Sequence, residues 1–203
     1  VISSKTNLLI ALRKFLPFKE KIKFNIYKKD LLNPEEKREE RFDYILGNPP
    51  WVNWKNMSEE YKQKIIPIAK RYELFEQTGL KARLGFAEDD ISVILTYVSI
   101  DLFLKPGGRI AFILPQSLFQ SVGGGSGFRK FYLSNSSVDI GIEKVIDLVK
   151  ISPFKTASNR TALFIAKKGM KTVYPVKYEI FKKNQNGLKV YENLDEFKLK
   201  TSK

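Results

Sequence analysis

A chain of 203 residues, 43% of them hydrophobic, is long enough to bury a core of its own and reads as one domain with a short appendage. It holds no cysteine and no histidine, which excludes disulfides, a cysteine nucleophile and the usual zinc and triad chemistries. No apolar run approaches the roughly 18 residues of a membrane span, Val1 opens no signal-peptide pattern, and 36 Lys+Arg against 22 Asp+Glu give a net charge of +14. The expectation is a cytoplasmic protein with no membrane contact, whose charge suits a polyanion such as nucleic acid or serves solubility alone.

Val1 to Phe18 places Leu8, Leu9, Leu12, Phe15 and Leu16 at helical spacing, an amphipathic helix. Lys21 to Tyr27 alternates through Ile22, Phe24 and Ile26, as a strand does, and Asp30 follows it. An acid just past a strand accepts hydrogen bonds from a ligand amine or caps a turn, and both uses stay open. Glu35 to Arg41 is a solvated charge run. Phe42 to Leu46 has the composition of a short buried strand, and Gly47 then frees the backbone for a turn into Asn48-Pro49-Pro50-Trp51. Two prolines fix their own φ and push Asn48 toward an extended conformation, so the loop is stiff. Open α/β sheets place their ligands at such a point. The Asn48 amide oxygen, the Pro49 carbonyl and the flat face of Trp51 suit a planar group that carries an amine, although Asn-Pro-Pro is also an ordinary turn sequence.

The stretch FDYILGNPPW resembles the catalytic motif of the S-adenosylmethionine-dependent DNA adenine-N6 methyltransferases of restriction-modification systems. The resemblance implies that Asn48 and Pro49 bind the amino group of an adenine flipped out of double-stranded DNA and that Trp51 stacks on the base, with Pro50 part of the same catalytic motif. It implies S-adenosylmethionine as cofactor, with Asp30 placed to bind its adenine amino group. Members of that family carry a Gly-rich turn upstream for the methionine part of the cofactor and an acid for its ribose. No GxG run precedes Asn48, so the expectation is a fragment that works with a missing N-terminal part or with a specificity domain or subunit.

Ser58-Glu59-Glu60 has the cap and acidic first turn of a helix reaching about Tyr72. Tyr72 to Asp90 is polar and aperiodic, a flap over the site or a surface loop. Asp89 or Asp90 caps an apolar helix, Ile91 to Leu104, ended by Lys105-Pro106-Gly107-Gly108 ahead of the buried strand Arg109 to Pro115. This helix, turn and strand follow the βαβ logic of a doubly wound sheet. Gly123 to Gly127 reads as a natural loop, with a designed linker and a phosphate-cradling loop as alternatives, and Phe128 to Leu133 reads as a helix.

Lys144 to Leu148 and Thr161 to Ala166 read as strands, and Val173 to Phe181 as one more, with Pro175 marking an edge. By resemblance the first two form the hairpin at the far edge of the sheet, and Phe154 stacks on the other face of the flipped adenine; core packing is its alternative use. Lys155, Asn159 and Arg160 are candidates for phosphate contact or ordinary solvated charge. The whole reads as α/β, an incomplete Rossmann-like methyltransferase domain over residues 1–182 with a mostly parallel sheet and a terminal antiparallel hairpin. Residues 183–203 form an extension or the start of a recognition domain. Methylation of RNA or of a protein glutamine, or nucleic-acid binding without catalysis, are the competing functions.

Overall fold

The computed structural model describes residues 6–7, 10, 25–28, 30–32, 40–74, 90–120, 127–151, 160–183 and 201–202. The chain falls into two compact units, Val1–Asn33 and Pro34–Lys203. In the first unit Thr6, Asn7 and Ile10 are helical, as their spacing predicts. Asn25 to Tyr27, the described end of the expected strand, lie outside any ladder.

The second unit is built on a six-stranded sheet. Its strands are β1 (Phe42–Gly47), β2 (Leu104–Pro115), β3 (Tyr132–Leu133), β4 (Val138–Asp147), β5 (Thr161–Lys168) and β6 (Tyr178–Ile180), in the order β1-β2-β5-β4-β3, with β6 also on β4. The β1–β2 pair is parallel and the β2–β5 and β5–β4 pairs are antiparallel, so β1, β2 and β4 all run the same way. Their carboxyl ends, Gly47, Pro115 and Asp147, therefore share one end of the sheet. The expected α/β architecture is present, with the parallel β1–β2 step leading into the motif and the β4–β5 hairpin behind it. β7 (Lys182–Lys183) and β8 (Thr201–Ser202) form a separate antiparallel ladder.

Helix α1 (Glu59–Arg71) starts where its sequence says, with the Ser58 hydroxyl accepting from Tyr61 N at 3.3 Å and Glu59 and Glu60 in the positive first turn. Helix α2 (Ile91–Val98) is buried along its whole length, and the Asp90 carboxylate accepts from Ser92 N at 2.8 Å as its cap. The helix does not stay α-helical to Leu104: Ser99–Phe103 widen into a π turn. The Lys105-Pro106-Gly107-Gly108 turn bulges between Leu104 and Arg109, with Gly107 at φ 74°, and the β2 ladder is regular from Arg109 onward. A short helix, α3 (Ser117–Gln120), follows β2.

Three further expectations are corrected. Phe128 to Leu133 is not a helix but a 3-10 turn, Phe128–Lys130, followed by β3. Phe131 at φ 48° breaks the run, and the break lets both phenylalanines turn inward. Phe119, Phe128 and Phe131 surround Phe164 of β5 at centroid distances of 5.9, 5.5 and 6.2 Å. The expected strand Val173 to Phe181 shortens to β6, three residues paired in parallel with β4. Finally β1, read as buried, is not: Phe42, Tyr44 and Leu46, spaced by two on one face, are 46%, 67% and 79% exposed. The core lies under β2 and β5, where Ile110, Leu114, Ala162, Phe164 and Ala166 are fully enclosed. Among the described residues no helix is long and apolar enough to cross a membrane.

Candidate active site

The motif leaves the sheet where β1 ends. Gly47 is the last residue in register with β2, opposite Phe112, and it is needed for close approach rather than for an unusual turn conformation. A Cβ at this position would sit 2.9 Å from a ring carbon of Phe112. Asn48 and Pro50 are exposed and Pro49 is half-buried. Among the described residues neither the Asn48 side chain nor the Pro49 carbonyl is engaged in a hydrogen bond. Two acceptors therefore stand open on a loop whose prolines carry no donors to compete for them.

The far side of the loop is tied down. Trp51 Nε1 donates to the Ile113 carbonyl at 3.2 Å, Ile91 N donates to the Val52 carbonyl at 3.0 Å, and Asn53 forms an isolated bridge with Asp90. Asn53 then caps the 3-10 turn Trp54–Asn56, its side-chain oxygen accepting from Lys55 N at 3.1 Å. The head of α2 is thus part of the wall beside the motif, and burial raises the Asp90 carboxyl above its ordinary range while hydrogen bonding to Ser92 lowers it in part.

A second polar group sits at the same end of the sheet, and the sequence reading passed over it. Asp147, buried at the end of β4, accepts from Val149 N at 2.8 Å through one oxygen. Its other oxygen accepts from Tyr178 OH at 2.8 Å and from Gln116 Nε2 at 3.3 Å. Gln120 Nε2 donates to the same phenol at 3.0 Å. Burial first, and then the hydrogen bond donated to Asp147, raises the Tyr178 phenol. Gln116 N also donates to the Arg160 carbonyl at 2.9 Å, and Leu148 N to the Thr161 carbonyl at 2.9 Å, so the root of the β4–β5 connection is closed by bonds from both sides. The signal that picked out Asp30, an acid just past a strand, would have found Asp147 as well.

Of the residues singled out from the sequence, Asn48, Pro49, Pro50 and Trp51 come together on one loop. Asp30 lies in the first unit, where one carboxylate oxygen accepts from Leu32 N at 3.0 Å, the turn use of that residue. Phe154, Lys155 and Asn159 lie outside the described residues, while Arg160 is exposed at the start of β5. No cluster of three or more metal-ligating side chains occurs among the described residues.

The sequence is 32% identical over 129 residues to the type II methyltransferase M.HincII of Haemophilus influenzae, and to the same extent to M.HindII of H. influenzae strain Rd. Each match takes in 64% of this chain and 22% of the relative, so the chain spans about a fifth of the length of these proteins. In structure it resembles a chain described as a modification subunit of a type I restriction enzyme from Vibrio vulnificus. The TM-score is 0.52 at 16% identity, over 85% of this chain and 33% of that one, a likeness of fold alone. The model of the Eco57I restriction-modification methylase family matches residues 3–154, a span that runs through the motif loop, α2, β2 and β4, and the chain belongs to that family.

Proposed function

We propose that this chain is the part of a DNA methyltransferase that grips the target base, in an enzyme that moves a methyl group from S-adenosylmethionine to N6 of adenine. The observation that carries the reading is the pair of open acceptors, Asn48 and the Pro49 carbonyl, beside the anchored indole of Trp51. An exocyclic aromatic amine is a poor nucleophile because its lone pair is spread into the ring. Two acceptors on its protons draw it toward tetrahedral geometry and take up the positive charge that develops on nitrogen, which is stabilisation of the transition state. Adenine reaches such a loop only when turned out of the duplex, and stacking on an aromatic face offsets that cost by about 1–3 kcal/mol per base. No covalent bond to the protein is needed, in keeping with a chain that holds no cysteine.

S-adenosylmethionine supplies an electrophilic methyl group. Within this chain Asp30 is the residue for its adenine amino group, since only one carboxylate oxygen is used by its own turn, whereas no GxG turn precedes Asn48 to hold its methionine part. The remaining contacts fall to the rest of a longer polypeptide or to a partner subunit. The apolar face of β1, Phe42, Tyr44 and Leu46, supports that reading, since three large side chains in a row on one strand face are an unfinished interface. Residues 1–182 then belong to the catalytic part and 183–203 lead toward a recognition part, and the net charge of +14 suits the phosphate backbone.

The test is transfer of radiolabelled methyl from S-adenosylmethionine to DNA by the full-length protein and by this chain alone, followed by nucleoside analysis. N6-methyladenine from the full-length protein and none from the chain is the expected result. Label in RNA or protein only, or in cytosine, would overturn the assignment.

A further inference from the structure

We infer that the indole N–H of Trp51 is a positioning group, which sets the stacking face and the two acceptors of the loop at a fixed spacing by continuing the β1–β2 ladder after its backbone has run out. The inference rests on the function proposed above and concerns a bond which that function does not require. The last paired residues are Gly47 and Phe112, and Ile113 is the next residue of β2. A continuing strand would meet β2 with backbone N–H groups, but two of the next three residues are prolines and have none to give. Trp51 Nε1 donates to the Ile113 carbonyl at 3.2 Å, so a side chain four residues past Gly47 supplies the donor.

The consequence is geometric. Asn48, Pro49 and Pro50 are held between the paired Gly47 at one end and the indole bond at the other, with the Val52 carbonyl fixed to Ile91 N just beyond. The loop owes its shape to two prolines inside and three anchors outside. An aromatic ring in this place could stack on a base without any N–H. Only a ring with a donor on its five-membered part ties the stacking face to the sheet that carries the acceptors. Phenylalanine keeps a face and loses the tie, and the tyrosine hydroxyl sits at the far end of its ring, in a different place. A misplacement of about 1 Å between reacting groups costs on the order of 10²-fold in rate, so loss of the tie reads out in turnover rather than in DNA binding.

The experiment uses the full-length protein with Trp51→Phe, Trp51→Ala and a third variant carrying β-(3-benzothienyl)alanine at position 51, which keeps the bicyclic ring and replaces N–H by sulfur. Methyl transfer is measured as kcat and KM for DNA, base extrusion by the fluorescence of 2-aminopurine in place of the target adenine, and the tie itself by exchange of the indole N–H in 15N-indole-labelled protein. The tie predicts a slowly exchanging indole resonance that vanishes in Trp51→Phe. It also predicts kcat lowered about 10- to 100-fold in both Trp51→Phe and the benzothienyl variant, with KM for DNA and the 2-aminopurine signal close to wild type, and loss of both in Trp51→Ala. Wild-type turnover by the benzothienyl variant, or an indole proton that exchanges at once, overturns the inference. If the wild-type protein transfers no methyl group to DNA, the proposed function fails instead, and the exchange measurement still decides whether the tie exists.

Discussion

At the end of the sheet where β5 finishes, Lys168 is buried and its Nζ donates to the carbonyls of Asp101 and Leu104 at 2.7 and 3.1 Å. Asp101, buried beside it in the π turn, accepts from Tyr72 OH and Asn135 Nδ2 at 2.9 Å each and pairs with Arg71 at 3.6 Å. At the opposite end Asn48 and Pro49 offer acceptors that no described group takes up. Both ends gather polar atoms around strand termini, but one end closes on itself and joins α1, the π turn, the β3–β4 turn and β5. The other is stiffened from outside and left open. A buried polar group must find partners within the protein, whereas an exposed acceptor held stiffly is available to a substrate. The open end is accordingly where activity should be lost on mutation, and the closed end where stability should be lost.

The largest separation is expected for Asn48→Ala in the full-length protein. Removing one pre-placed group that stabilises developing charge costs on the order of 10²–10³ in kcat. The side chain is exposed and without described partners, so stability should stay within about 0.5 kcal/mol. A kcat within threefold of wild type, or a large fall in the urea midpoint, would erase the distinction between the two ends.

Asp101→Ala is the mirror experiment. It leaves the Tyr72 hydroxyl and the Asn135 amide without their acceptor and removes the carboxylate facing Arg71 and Lys168, a loss of about 3–5 kcal/mol, the scale for breaking a buried, hydrogen-bonded pair. The protein that remains folded should transfer methyl groups at an unchanged rate. Chemical denaturation and active-site titration on the same preparation separate the two effects. A catalytic defect without a stability loss would mean that the closed end reaches into the chemistry.

Gly47→Ala probes the seam between sheet and loop. The added methyl meets the Phe112 ring, which is itself buried in the core, and overpacking of this kind costs about 1–3 kcal/mol. Since Gly47 is also the last residue in register, the strain should pass into the loop and lower kcat too. Trimming the obstacle in Gly47→Ala/Phe112→Leu should restore part of the activity; a double variant no better than the single one would show that the ring is not what the methyl meets.

These positions also mark where the sequence was readable. The Ser58 cap, the cap of α2 at Asp90 (one of the two aspartates the sequence offers), the start of β5 at Thr161 and the placing of the motif after β1 depend on neighbours within a few residues and are found as expected, although β5 runs on to Lys168 rather than ending at Ala166. The role of Gly47 was misread because a turn glycine and a close-packed glycine look alike in one dimension, and only Phe112, far along the chain, tells them apart. Phe128 to Leu133 misled for a similar reason: its residues are compatible with a helix, and the need to surround Phe164 overrides that tendency. The start of β4 was missed as well, since Asp139, Gly141 and Glu143 interrupt its apolar run and its strand character comes from pairing on β5. The tie from Trp51 to Ile113 spans 62 residues and leaves no local trace.

The smallest expected effect contrasts the two ends by pH. Burial lowers the Lys168 ammonium below its usual 10.5, against the partial support of Asp101. A lysine lowered in the folded state binds fewer protons there than in the unfolded chain, so its cost is full at neutral pH and is relieved only as pH rises toward 10.5. At the open end the sign reverses. Asp90 is raised above 3.8 by burial, so between the unfolded and folded values the folded state binds more protons, and stability falls as pH rises through that window and stays lower above it. Asn caps a helix about as well as Asp and does not titrate, so Asp90→Asn should cost less than about 1 kcal/mol at any pH. Its stability relative to wild type should improve from about pH 3 to pH 7. Urea melts across that range test it. A variant that instead loses ground as pH rises would mean that the charge on Asp90 is favoured by the head of α2 more than burial opposes it, and that this wall of the site is held by an ion rather than by packing.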